Sequence, residues 1–290
     1  MGPLLKFVDR TYVLHEERKL IYFGGIDYHR MSNNPRILQS LTHAAYEYGL
    51  NSTGSRTTIG NHPIYVDLEA TAADFFQTEA AAVFGSGYLS NLIFLQAASE
   101  KHDIFFIDEI SHSSIVDAIK QFNKQMIFFR HLDTDNLERQ MIKHLKPGNT
   151  PIISTDGVFA ARGEIPPLSD YAQIAAKYDA KILIDDAHAM AVIGHTGKGS
   201  WEHAGIDRQI VYQTGTLSKG FGVYGGVIPE NYDIIGKIQK TSNAFIGSTG
   251  LPLPVAAAAI KSIRYLQKNP QLIRKLQTCS LALKKKFRQL

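Results

Sequence analysis

From about residue 80 onward the chain alternates short, unbroken apolar runs with longer amphipathic segments, and this alternation restricts its fold more than any other feature. The runs are AAAVF ending at Phe84, IFFI (Ile104–Ile107), MIFF (Met126–Phe129), PIIST (Pro151–Thr155), KILID (Lys181–Asp185), QIVYQ (Gln209–Gln213) and GGVI (Gly225–Ile228). Runs without polar alternation suit strands covered on both faces. Between them, SHSSIVDAIKQFNK, DTDNLERQMIKHLK and LSDYAQIAAKYD space their apolar residues as helices do. The alternation predicts an α/β fold, a mostly parallel seven-stranded sheet flanked by helices with right-handed crossovers.

Composition narrows the function classes. With 290 residues, 44% of them hydrophobic, there is material for one large domain or two smaller ones. The 31 basic and 27 acidic residues are spread along the chain and leave a net charge of +4, which argues against a nucleic-acid surface. One cysteine, Cys279, excludes a disulfide framework and a cysteine metal site, and fits a reducing, cytoplasmic compartment. No metal is expected. The N-terminus lacks a signal-peptide core, and no apolar run is long enough to span a bilayer.

In parallel sheets ligands bind beyond the carboxyl ends of the strands. Here those positions hold GSGYLSN (Gly85–Asn91), DEISH ending in His112, DGVFA after Thr155, DDAH with Asp185, Asp186 and His188, and TGTLSK with Thr216 and Lys219. Each has an ordinary reading on its own. A lysine before glycines is usually a solvated charge at a turn. Asp185 suits a helix cap or an ion pair, His112 a helix start, and His188 a core imidazole. Together, five strand ends bearing small, acidic or imidazole groups point to one shared site.

A lysine among such groups suits Schiff-base chemistry with pyridoxal 5′-phosphate. That cofactor needs an amine for its aldehyde, a carboxylate to keep its pyridine nitrogen protonated, N–H groups at a helix start for its phosphate, and a planar group against its ring. Lys219, Asp185, Gly87 with Tyr88, and His112 match these needs. Thr216 adds a hydroxyl and His188 a donor to the phenolic oxygen.

The ordered set GSGYLSN, SHSSIVDA, DGVF, DDAHAMAVIGHTGKG and TGTLSKGFGVYGG resembles the α-oxoamine synthases, fold-type I enzymes dependent on pyridoxal phosphate. The likeness runs from about Tyr22 to the chain end and includes the glycine-rich NSTGSRTTIGNHPIYVDLE (Asn51–Glu69). The resemblance implies Lys219 as the Schiff-base lysine, with Asp185 at the ring nitrogen and His188 at the phenolic oxygen. It further implies His112 stacked on the ring, and Gly87, Tyr88 and Thr216 around the cofactor. Thr249, in FIGSTGLP, is implied as a phosphate ligand given to a second subunit, hence a homodimer with shared sites. The implied reaction is condensation of an amino acid with an acyl thioester such as acyl-CoA, with decarboxylation. The corresponding organisation is an N-terminal arm (1–45), a cofactor-binding large domain (46–250) and interdomain helices (251–290) leading to a small domain that this chain does not include.

Three departures accompany the likeness. Ile26 in GIDYHRM stands where the family pattern has asparagine, Ala160 in GVFAARG stands where it has serine, and no residue is assignable to the carboxylate-gripping arginine of the small domain. They keep two alternatives open, an aminotransferase of the same fold and a catalytically impaired cofactor-binding subunit or fragment. A dinucleotide reading of GSGYLSN is weaker, because the G-x-G-x-x-G pattern is not completed.

Overall fold

A computed structural model describes every residue except 1, 10, 288 and 290. Three short strands, β1 (Leu5–Phe7), β2 (Tyr12–His15) and β3 (Arg18–Ile21), form an antiparallel meander at the N-terminal end. Helices α1 (Pro35–Tyr48) and α2 (Pro63–Phe76) follow, each with proline in its first turn, where the missing N–H costs nothing.

The seven apolar runs become one sheet: β4 (Ala80–Phe84), β5 (Ile104–Asp108), β6 (Gln125–Phe129), β7 (Pro151–Asp156), β8 (Lys181–Asp185), β9 (Val211–Thr216) and β10 (Gly226–Glu230). Their order across the sheet is β4-β10-β9-β8-β7-β5-β6, with β10 antiparallel to both neighbours and the other pairs parallel. Helices α3 (Ser90–Ala98), α4 (Ser113–Lys120), α5 (Thr134–His144) and α6 (Leu168–Lys177) make the crossovers. The short α7 (Ser200–Ala204) precedes β9; α8 (Tyr232–Thr241) and α9 (Asn243–Ile246) follow β10. Residues of β5, β7 and β8 are buried along their length apart from Lys181, as unbroken apolar runs require.

One strand begins later than its sequence suggests. Gln209–Gln213 reads as continuous strand, yet Arg208–Ile210 is a 3₁₀ turn and β9 begins at Val211. The cause is local: the Asp207 carboxylate accepts the Gln209 N–H at 2.8 Å, a cap that the extended backbone cannot share.

Three apolar clusters fill the molecule. One lies between the β4 side of the sheet and α1, α2 and α10 (Leu253–Lys268), and the other two cover the two faces around β5, β7 and β8. Helix α10 buries Ala256, Ala259, Ile263 and Leu266 and so belongs to the core of this body. Helix α1 runs through residue 45, where the sequence reading ends the arm. Helix α11 (Gln271–Phe287) buries only Ile273.

Truncating a side chain at the centre of this sheet tests the packing. Phe106→Ala, at a fully buried position of β5, should lower stability by about 3–5 kcal/mol. Ile142→Ala, on the exposed side of α5, should stay within about 0.5 kcal/mol. Both are read from urea midpoints.

Candidate active site

The carboxyl ends of β4, β5, β7, β8 and β9 meet around a cavity of about 200 Å³. Gly87, Tyr88, His112, Asp185, His188, Thr216 and Lys219 all line it. Thr249 does not; it sits in an antiparallel bridge with Ser55, whose hydroxyl donates to the Ile246 carbonyl.

Asp185 ends β8, buried, and its carboxylate is fixed on three sides. Asn91 Nδ2 donates to Oδ2 at 2.8 Å, Ser114 Oγ lies 3.4 Å from the same oxygen, and the Ala187 N–H donates to Oδ1 at 3.0 Å. Asn91 is itself held by Thr214, whose hydroxyl donates to its Oδ1 at 2.7 Å. The next residue, Asp186, faces away and is wholly buried. It accepts from Ser200 Oγ and N and from Gln213 Nε2, which locks the turn after β8. Gly199 permits this approach: its φ is +110°, and a Cβ there would lie 2.1 Å from Asp186 Oδ2.

His112 combines two of its readings. It caps α4, its Nδ1 accepting the Ser114 N–H, and it also lines the cavity. Its own N–H donates to Asp156 Oδ1 at 3.0 Å. His188 Nδ1 lies 2.7 Å from the hydroxyl of Tyr28, 160 residues away in sequence. Burial raises the Tyr28 pKa, so the phenol keeps its proton and donates to Nδ1. The proton of the neutral His188 ring then resides on Nε2.

The electrostatics follow from burial. Lys219 is pushed below the ordinary lysine pKa by desolvation, with Asp185 and Asp156 opposing. Asp156 is raised to about 8 by burial and by the adjacent Asp185 charge. His188 falls to about 4 through burial and the neighbouring Lys219 charge. One buried carboxylate, Asp185, a second carboxyl group, Asp156, that burial and the Asp185 charge keep protonated near neutrality, and an amine whose charge is disfavoured thus share the cavity.

At the β4 end, Gly87–Leu89 forms a 3₁₀ turn leading into α3. Gly87 lies so close to Thr216 that a Cβ would fall 2.5 Å from the threonine Cβ. The Thr216 hydroxyl donates to the Gly225 carbonyl at 2.8 Å and pairs with Ser218 Oγ, so its proton is already engaged. Tyr88 turns its hydroxyl outward to Asp117, which leaves its backbone as the part beside the cavity.

Sequence reasoning did not assign Tyr28, Asn91, Ser114 or Asp156. Asp156, Asn91 and Ser114 lie inside quoted motifs, at the end of β7 and in the first turns of α3 and α4; Tyr28, within GIDYHRM, carries no local signal of its role. Of the departures, Ile26 is exposed on a separate cavity of about 570 Å³ near the N-terminal strands, a cavity that Tyr28 also lines, and Ala160 is exposed in the loop after β7. A still larger cavity, about 850 Å³, lies between α1, α2 and α10, away from these groups.

Comparison with known proteins gives consistent results. The family model for aminotransferase class I and II matches residues 18–290. An 8-amino-7-oxononanoate synthase of Bacillus velezensis is 37% identical over 89% of this chain, which spans 66% of that protein's length. The solved serine palmitoyltransferase of Sphingomonas wittichii superposes with a TM-score of 0.85 at 30% identity, covering 90% of this chain and 65% of that one. A structure of SPT with PLP has a TM-score of 0.88 at 28% identity, covering 94% and 68%. The chain therefore spans about two thirds of the relatives that it matches.

The His188 environment predicts an acid-sensitive stability. Between pH 6.5 and 4 the unfolded chain binds a proton at this imidazole that the folded chain does not, so stability falls as pH falls through that window. The loss should be on the order of 1–2 kcal/mol once solvent screening is allowed for. Urea midpoints at pH 7 and pH 4.5 should therefore differ more in the wild type than in His188→Gln.

Proposed function

Because the chain belongs to the aminotransferase class I and II family, in its α-oxoamine synthase branch, we propose that it is a pyridoxal-phosphate-dependent acyltransferase. In this reading it condenses an amino acid with an acyl thioester, with loss of CO₂, to give an α-amino ketone. The observation that carries the reading is the meeting of a desolvated lysine and a triply hydrogen-bonded, buried carboxylate on one cavity.

The residues present suit the cofactor. The fixed Asp185 carboxylate, beside an amine whose own charge burial disfavours, suits a cation, and a protonated pyridine ring supplies one. Once bound, the cofactor supplies an electron sink for negative charge at the substrate α-carbon. Lys219 Nζ serves as the amine for the aldehyde and as the base for the α-proton; general base catalysis of this kind contributes roughly 10²–10⁴-fold. Asp185 holds the proton on the ring nitrogen, and each pKa unit of that preference corresponds to about 1.4 kcal/mol. His188 donates from Nε2 to the phenolic oxygen, in the tautomer that Tyr28 sets. His112 covers the ring face. The N–H groups of Gly87 and Tyr88, flanked by Thr216, receive the phosphate at the start of a helix.

We further propose a cytoplasmic homodimer in which Thr249 serves the partner's phosphate site. Support comes from the apolar surface around the glycine-rich segment beside Thr249: Tyr46, Leu50, Ile59 and Val66 are 89%, 73%, 84% and 56% exposed. The buried Arg56–Glu69 ion pair holds that segment in place. The exposed, free Cys279 suits a reducing compartment. Among the described residues no helix is long and apolar enough to cross a membrane.

Purified protein reconstituted with pyridoxal phosphate should show an absorbance band at the visible edge that borohydride removes and that Lys219→Ala lacks. Incubation with glycine, serine or alanine plus acyl-CoAs should release free CoA and CO₂. Formation of a keto acid instead would identify an aminotransferase, and a colourless protein that does not take up the cofactor would refute the reading. In a mixture of Lys219→Ala and Thr249→Ala chains, hybrid dimers should regain cofactor binding at one native site.

A further inference from the structure

A second ionisable cluster lies beside the cavity without lining it. His131, just beyond β6, has both ring nitrogens on carboxylates. Nδ1 is 2.8 Å from Asp108 Oδ1, and Nε2 is 2.9 Å from Glu164 Oε2. Ionised carboxylates only accept, so both nitrogens carry protons and the ring is an imidazolium. Asp108 is fully buried at the end of β5, and Glu164 sits in the loop after β7.

Each partner leads to a residue of the cavity. Asp108 Oδ1 also accepts the Ile110 N–H at 3.0 Å, and its carbonyl accepts the Ser111 N–H at 2.9 Å. These bonds shape the turn whose next residue is His112. Asp108 Oδ2 accepts the Leu132 N–H at 3.1 Å and holds that residue at φ +57°. Glu164 closes the loop that Asp156 opens: the Phe159 N–H donates to its carbonyl at 2.9 Å, and the Phe159 ring stands edge-on to His131 at 4.5 Å. The two loops meet again where the His112 N–H donates to Asp156.

We propose that His131 is a positioning residue of the active site, an imidazolium clasp between Asp108 and Glu164 that sets the register of the loops delivering His112 and Asp156. The proposal rests on the reading of those two residues as parts of the site. It has a sign in pH. Burial works to lower the His131 pKa, but the hydrogen bonds of Glu164 and Asp108 outweigh it and raise the pKa above 6.5. The clasp is therefore complete below the folded-state value while both carboxylates are ionised, and opens as pH rises through that value, when one carboxylate meets a lone pair. Other charged or titratable groups around it include Glu109, which accepts the His131 N–H at 3.1 Å, the Arg130–Asp133 pair, and Asp156 and the α6 phenol Tyr171, which both feel the Asp108 charge.

The test uses histidine NMR of the cofactor-free protein, then titration with pyridoxal phosphate. In the wild type the His112 ring resonances should show an inflection at the pH where His131 titrates. His131→Gln should displace the His112 resonances and abolish that inflection, leaving those of the exposed His203 unmoved. Glu164→Gln supplies an amide that can donate to a neutral Nε2. It should keep the His112 resonances in place while removing the inflection, and should bind pyridoxal phosphate nearly as the wild type does. His131→Gln should bind it roughly 10-fold more weakly. His112 resonances that coincide in wild type and His131→Gln at every pH overturn the proposal. If His131→Gln does not fold, a wild-type inflection persisting in Glu164→Gln overturns it. A wild type that shows the coupling but takes up no cofactor refutes the proposed function and leaves the clasp standing.

Discussion

The arrangement depends on one carboxylate held still. Asp185 ends a strand buried on both faces, and its oxygens are occupied by Asn91, Ser114 and the Ala187 amide. A carboxylate so fixed keeps its direction without help from solvent, and because it is buried its charge acts strongly on its neighbours. Burial first and then this charge raise the Asp156 pKa, and the same charge opposes the desolvation that lowers the Lys219 pKa. The fold serves this constraint: Asn91 lies in the first turn of α3, Ser114 in the first turn of α4, and Thr214 on β9 steadies Asn91.

The same frame explains the division of labour between adjacent residues. Asp185 and Asp186 are consecutive, yet one faces the cavity and the other is spent on Ser200 and Gln213. The second fixes the turn that carries His188, and the N-terminal segment completes it. Tyr28 donates to His188, and the neighbouring His29 donates from Nε2 to the Ala191 carbonyl at 2.6 Å. Two consecutive residues near the chain start thus latch onto the loop after β8, so the segment ahead of the sheet braces the turn that carries His188.

The sheet was legible because burial on both faces removes polar residues from a strand, and five of the site-bearing segments follow directly from strand ends. Lys219, Asp185, His112 and His188 stand there with side chains whose chemistry is hard to explain as turns. What was not legible depends on contacts between distant parts of the chain. Tyr28 meets His188 across 160 residues, and no local pattern marks it. That the Thr216 proton is given to Gly225, and that Tyr88 offers its backbone while its phenol turns to Asp117, are outcomes of packing. The late start of β9 came from one Asp207 cap, a local competitor that an apolar run conceals.

The most direct test of the account is the protonation state of the ring nitrogen. Pyridoxal phosphate labelled with ¹⁵N at that position, bound to the protein at mildly alkaline pH, should give the chemical shift of a protonated pyridine. Asp185→Asn should give that of an unprotonated one. An unprotonated ring nitrogen in the wild type, or one whose protonation is indifferent to Asp185, would contradict the account at its centre.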